Sequence, residues 1–432
     1  MSDIKAGRSK NYMIFLVLSM GLMALIDQYS GLVETTAIPF IVEEFWFTPR
    51  QIQSLLVSMG IAAGVGEFAF WQGIYGIITF SVFLINWSAD AIGRKKALLI
   101  LLLFMGIPAL LIGIGPHATP FKSAASDPAF HYFMFMYALL IMATLSNIWE
   151  LPITEEAPHE RRATYGTIAY FIGLIPLYAL FGFIATSMGW RWLYGIMFFF
   201  MLGAIVLWFF VKETKRWQAV HEERGKEIIT FKQCVEKMTR TDLSYILVSG
   251  IVYIVWNIGL KLGTVGAGTY FMVVQGVSVS TWNRLFLIAG LNTIIGAIVS
   301  GVLMDKIGRN KTLAIGTIGS VLSYCLLGIT GSPAFLWTMF FTMSMLLAWI
   351  MVYFAEIFPT EYRSTCIGIT NTVSRVGYVV GPLLASVLIT LFPKMGMYWI
   401  IGGLLMLVFL LAIMMKPLET KQKTLEEIEK ER

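Results

Sequence analysis

The chain has 432 residues, 57% of them hydrophobic and 13% charged, where soluble proteins carry charge on about a quarter of their residues; an ordinary soluble globular fold is excluded. The net charge of +6 does not indicate nucleic-acid binding, because Lys and Arg stand in short clusters between long apolar runs. Cys234, Cys325 and Cys366 lie far apart, with no CxxC spacing and no partnering His, so they supply neither a disulfide framework nor a zinc site. The opening MSDIKAGRSK is polar and runs into an apolar stretch without a small-residue cleavage site, which predicts a retained first span rather than a signal peptide.

Apolar windows of about 20 residues, the length that crosses a bilayer, follow at 11–33, 68–89, 94–115, 131–153, 164–188, 193–211, 243–273, 284–304, 311–330, 334–355, 364–392 and 396–416. They predict an all-α membrane protein with twelve transmembrane helices. Segment 51–66, apolar but short and Gly-rich, is expected to form an extracellular-side or interfacial helix. With the amino terminus in the cytoplasm, 25 of the 32 Lys and Arg fall on the cytoplasmic side; Arg50, Lys122, Arg191, Arg284 and Lys394 fall outside, and Lys261 and Arg375 fall within spans. That asymmetry predicts two cytoplasmic termini. The longest polar segment divides the spans six and six, giving bundles at 1–211 and 243–416, a linker at 212–242 and a tail at 417–432.

The halves repeat each other. Asp90-x-x-Gly93-Arg94-x-Lys96 recurs as Asp305-x-x-Gly308-Arg309-x-Lys311 after the second span of each half, and Glu155-x-x-Pro158-x-x-x-Arg162 recurs as Glu356-x-x-Pro359-x-x-x-Arg363 after the fourth. Two six-helix halves related by pseudo-two-fold symmetry, with a site between them near the midplane, are the layout of many secondary transporters.

On these residues the chain resembles the major facilitator superfamily from the first span to the carboxy terminus. The two Asp-x-x-Gly-Arg loops are similar to that superfamily's loop signature, and Trp190-Arg191-Trp192 fits the same family. The tail from Pro417 to Ile428 resembles the sugar-porter ending PETKGKTLEEI, and Glu213-Thr-Lys-Arg216-Trp217 resembles PESPRW without its prolines. Sugar porters also carry QQxxGxNxxxYY in span seven. With Tyr270-Phe271 on its aromatic pair, Leu260-Lys261 stand on the glutamines and Gly266 on the asparagine, so the sugar-binding amides are missing. The stretch from Tyr353 to Arg363, followed by Ser374-Arg375, Gly377 and Pro382, is similar to organic-ion and aromatic-acid carriers. The resemblance implies a monomeric, cofactor-free secondary transporter in the cell membrane, working by alternating access on the proton gradient. Its substrate would be a small organic anion, with no nucleic-acid partner. Sugar:proton symport is the alternative, and a transporter-like solute sensor a third reading. No Walker loop, HExxH, GxSxG or dinucleotide fingerprint supports an ATP-driven pump or a hydrolase.

Charges at bilayer depth are costly unless paired or hydrated, so each is a candidate. The resemblance makes Asp27 the proton-coupling acid, three residues out of register with the following Pro-Phe-Ile; its rival role is a fixed ion pair. Glu150 is the second proton candidate, or a solvated group near the cytoplasmic surface. Glu34 is read as a solvated rim charge. Arg375, mid-span, needs an anion, which is either a substrate carboxylate or an acid across the bundle. Lys261 is expected to pair with substrate or with Asp27. Trp256, Asn257, Tyr270, Trp349 and Tyr353 offer flat surfaces with polar edges to a substrate, or face lipid. Asp90, Gly93, Arg94 and their copies Asp305, Gly308, Arg309 are read as a cytoplasmic gate, the aspartate meeting the positive end of a neighbouring helix. By resemblance Glu155, Arg162, Glu356 and Arg363 join it.

Overall fold

The computed structural model describes residues 8–46, 56–119, 123–144, 146, 148–158, 162–174, 181–223, 230–359, 362–410, 418–421, 423 and 425–431, and among these every regular element is a helix. Lipid offers no partner to a backbone N–H or C=O, so a spanning segment of this composition satisfies them within itself.

Span one is Lys10–Leu32, started by the Ser9 side chain accepting from Tyr12 N, and continues past Val33 as Glu34–Trp46. Span two is Leu56–Tyr75, a 3₁₀ stretch Gly76–Ser81, and Val82–Ala91. Span three is Arg94–Gly113; span four is Pro128–Ala143, resuming as Ile148–Glu150 and Leu151–Glu156. Span five comprises Arg162–Leu174 and Phe181–Ser187, and span six Arg191–Gly195 and Met197–Phe210. Span seven, Arg240–Gly268, starts on a Thr239/Asp242 capping box and ends in the π-helical turn Thr269–Val274. Spans eight, nine and ten are Val279–Ile307, Arg309–Thr330 and Pro333–Ile357. Span eleven is Arg363–Ser374 and Val376–Leu391, and span twelve begins as Gly396–Leu405. Each predicted window thus holds a helix. Ten crossings reach full spanning length among the described residues; Gly396–Leu410 is shorter, and span five is divided by residues 175–180, which are not described.

One expectation is corrected. Residues 56–66 are the first turns of span two rather than a separate interfacial helix, and 51–55 lie outside the described residues. No proline stops the helix between Gly64 and Phe68, and Glu67 anchors it by accepting from Trp46 Nε1 at 2.6 Å.

The spans form two six-helix bundles. Span two packs on span eleven, span one's second segment on span seven, and span five on span eight, so each bundle meets the other along matching helices. Outside, Phe183, Phe209, Phe210, Ile329 and Leu391 are exposed, as suits a surface solvated by lipid tails. Between the bundles, spans four and eleven break. Thr144 turns extended after Ala143, and the α-helix of span eleven is interrupted at Arg375. Irregular backbone at this depth requires substitute partners, and span eleven supplies them. Arg375 Nη2 donates to the carbonyls of Met142, at 3.3 Å, and Thr144; Asn371 Nδ2 donates to Ser146 O at 3.1 Å.

Candidate functional site

A cavity lies between the bundles, walled by spans one, five, seven, eight, nine and ten. Its wall is mostly apolar and aromatic, including Tyr170, Trp256, Tyr324, Phe340 and Met343, with Asp27, Gln28, Thr264, Thr293 and Ser344 as polar points. Asp27 is 1% exposed; its Oδ2 accepts from Trp149 Nε1 at 3.1 Å and Gln28 Nε2 at 3.2 Å. Glu150, half-buried in the turn that restarts span four, is within electrostatic reach of Tyr170, which also feels Asp27.

The remaining predicted substrate contacts divide. Trp256 faces the cavity, its indole N–H held by Met343 O at 2.9 Å. Asn257 Nδ2 donates to Ser374 O at 3.0 Å and Ser374 Oγ at 3.2 Å beside the break in span eleven, while its buried Oδ1 lacks a hydrogen-bond partner among the described residues. Tyr353 stacks on Trp349 at 4.6 Å between centroids, and both are buried inside the protein, as is Tyr270. Arg375 lies over the Tyr378 ring at 4.6 Å, with Nε and Nη1 lacking a hydrogen-bond partner among the described residues.

Two expectations about charge are overturned. Glu34 is not a solvated rim group but fully buried, and Lys261 pairs with it, at 2.9 Å, rather than with Asp27. Glu34 also accepts from Gln72 Nε2 at 2.7 Å, Tyr137 OH and Thr264 Oγ1. Glu34, one residue past Val33 in span one, stands in the seam between the bundles, where Gln72 of span two, Tyr137 of span four and Lys261 and Thr264 of span seven surround it. Lys261 and Glu34 stand 227 residues apart, and nothing in either neighbourhood of the sequence announces the pair.

At the end of the bundle that carries the repeated loops, residues expected to form a gate come together. Arg94 is buried, pairing with Asp90 at 2.6 Å and Glu155 at 2.8 Å. The other Asp90 oxygen crosses to the second half, accepting from Thr365 N at 2.7 Å and Thr365 Oγ1 at 2.6 Å in the first turn of Arg363–Ser374. A carboxylate there meets the positive end of the helix dipole. Arg363 is within electrostatic reach of Glu155. The Arg162 side chain is outside the described ones. The second-half copy is built in part: Arg309 pairs with Glu356 at 3.0 Å, but Asp305 is 63% exposed and stands 3.6 Å from Arg309.

Sequence reasoning missed two members of each of these clusters. Glu213 accepts from Arg94 N at 3.0 Å and Lys95 N at 3.2 Å, while Thr214 Oγ1 donates to Glu155. Glu419 accepts from Arg309 N at 2.9 Å and Asn310 N at 3.2 Å, while Thr420 Oγ1 donates to Glu356. The signal was present as a third internal repeat, Glu-Thr-Lys at 213–215 and 419–421. Gly93 and Gly308 take φ of 107° and 100°, and a Cβ on either would run into the Glu213 or Glu419 carboxylate. Burial pushes the Glu213 carboxyl above the usual range, against the pull of the N–H donors and Arg94. Its ionised form is therefore the costlier one, and this contribution to stability declines as pH rises through the folded value. Glu213→Ala is expected to lower stability by about 1–2 kcal/mol, since two helix-end N–H groups lose their acceptor. Glu213→Gln, keeping an acceptor without the charge, should cost less in thermal melts.

The profile of the Major Facilitator Superfamily matches residues 17–340 and 246–431, and the chain belongs to this family of membrane transporters. Its fold is similar to the solved proton:xylose symporter XylE bound to 6-bromo-6-deoxy-D-glucose, with a TM-score of 0.71 at 20% identity over 98% of this chain and 99% of that one. Among relatives, it is 26% identical to the cis,cis-muconate transport protein of Acinetobacter baylyi, over 69% of this chain and 72% of that protein. It is 22% identical to the glucose transporter GlcP of Staphylococcus epidermidis, over 98% of each.

Proposed function

We propose that this transporter couples protons to the uptake of a small organic anion with an apolar body, as a monomer in the cell membrane with both termini cytoplasmic. The halves 1–211 and 243–416 rock about the central cavity, and the Asp90–Thr365 contact closes the cytoplasmic side. Arg375 carries the reading: it is 1% exposed, two of its nitrogens lack hydrogen-bond partners and no carboxylate pairs with it among the described residues. A permanent guanidinium at that depth calls for an anion, and its planar fork suits a carboxylate. The apolar cavity wall matches an aromatic or unsaturated acid better than a hexose, which needs a hydrogen-bond partner around most of its edge. The name of the muconate relative points the same way, while the glucose and xylose neighbours keep sugar symport as the second reading.

In this reading Asp27, on the cavity wall, carries the proton, with Glu150 next in line. Asp27→Asn is expected to abolish benzoate accumulation driven by a pH gradient in vesicles while counterflow exchange persists, because the amide mimics the protonated acid. Surviving accumulation removes Asp27 from the coupling. Thermal shift of the purified protein by benzoate, and none by glucose or xylose, supports the anion reading; the reverse result establishes sugar binding instead.

A further inference from the structure

The reading of Arg375 leaves a second buried cation unexplained. Lys261 lies over the same Tyr378 ring, at 4.8 Å from its centroid where Arg375 is at 4.6 Å. The two cations feel each other electrostatically. Only one of them has a carboxylate partner among the described residues. Glu34 holds Lys261 through both oxygens, at 2.9 and 3.0 Å. This pair joins the first bundle to the second, and Thr264, which donates to Glu34, is itself part of the cavity wall. The pair therefore stands beside the space a substrate would occupy.

We propose that Glu34 is an internal competitor for the substrate at Lys261: when Glu34 takes up a proton, Lys261 is released and joins Arg375 across Tyr378 as a two-cation subsite for a dicarboxylic acid. The inference rests on the anion reading above and extends it to the substrate's second charge. The charges balance at each stage. Glu34 carboxylate plus a proton gives the neutral acid, which stays hydrogen-bonded to Tyr137 and Gln72, and the Lys261 ammonium exchanges one carboxylate for another. Departure of the substrate returns Lys261 to Glu34 as that acid gives up its proton. One proton is thus bound for each carboxylate held at Lys261.

The groups facing Glu34 fit a switch between these states. Lys261 on span seven is the cation in contact with it; Tyr137 on span four, Tyr194 on span six, Tyr378 on span eleven and Tyr398 on span twelve are the titratable groups that sense its charge. Gln72 on span two and Thr264 are neutral donors. Protonating Glu34 leaves the ammonium as the uncompensated charge, and an incoming carboxylate supplies what it lost.

Terephthalate and benzoate differ by one carboxylate on the same ring and form the test pair, with affinities measured on the purified full-length chain at about pH 6 and about pH 8, where both ligands are ionised. In the wild type the preference for terephthalate over benzoate should shrink by up to about tenfold for each unit of rising pH, because one proton is taken up with the second carboxylate. Glu34→Gln should retain the preference at both pH values. Lys261→Met combined with Glu34→Gln, which leaves no unpaired charge behind, should bind the two ligands equally. A preference that persists in this double variant, or a pH response unchanged in Glu34→Gln, overturns the inference. Benzoate binding without any terephthalate preference in the wild type overturns it alone, whereas a wild type that binds neither ligand overturns the anion reading as well.

Discussion

Arg375→Lys is expected to weaken benzoate binding by about ten- to a hundredfold while the protein stays folded, and Arg375→Ala to weaken it by two to four orders of magnitude. A lysine keeps the charge but cannot form two parallel hydrogen bonds to one carboxylate, and each such charge-assisted bond contributes about 1.5–3 kcal/mol. The surroundings allow the residue to be changed without collapse. Its described protein partners are the carbonyls of Met142 and Thr144 and the face of Tyr378, not an acid. Truncation strands those carbonyls, at about 1–3 kcal/mol, but leaves no buried carboxylate unpaired among the described residues. Binding should therefore fall further than stability. Calorimetric titration beside a thermal melt separates the two; an Arg375→Ala protein that loses stability while binding benzoate normally would show that the guanidinium only braces the break in span four.

Asp90→Asn is expected to open the loop-motif end of the molecule. Asp90 has three partners there: Arg94, the Thr365 backbone N–H and the Thr365 hydroxyl. The amide keeps one acceptor oxygen but loses the charge that compensates both the buried guanidinium and the helix end. Losing about 2–3 kcal/mol of closure shifts a two-state balance by roughly 30- to 160-fold. The chain contains its own reporter. Cys366, next to Thr365, is fully buried behind the contact, and Cys325 on span nine is partly exposed. Maleimide labelling resolved by mass spectrometry should show Cys366 reacting much faster in Asp90→Asn, with Cys325 unchanged. Equal Cys366 rates in the two proteins would reduce the motif to a folding element.

The repeated loops were legible because one of their contacts is local, whereas their partners Glu155, Glu213 and Thr365 come from far along the chain. Asp90 and Arg94 lie four residues apart on adjoining helix ends, so their pairing follows from spacing, and the repetition of the motif marked it as architecture. The spans themselves were legible because lipid leaves an apolar segment of that length little choice but a helix. Segment 51–66 was misread because hydropathy locates a span but not its first turn, and the helix that holds Glu67 begins at Leu56, ahead of the window at 68–89.

Composition, spacing and repeats in the sequence determined an all-helical membrane protein of two related halves, the place of its repeated charged loops and the need for a partner at each charge within a span. Which partner each charge takes was decided only by the tertiary structure. Glu34 meets Lys261 because the second segment of span one packs against span seven, and Arg375 meets backbone rather than an acid because span four breaks beside it. Asp90 and Asp305 hold equivalent places in the repeat, yet one is buried against the other half and the other is 63% exposed. The physical reason is the same in each case. A charge in a low-dielectric interior pairs with whatever the packing of distant helices places within reach, and sequence separation carries no information about that distance.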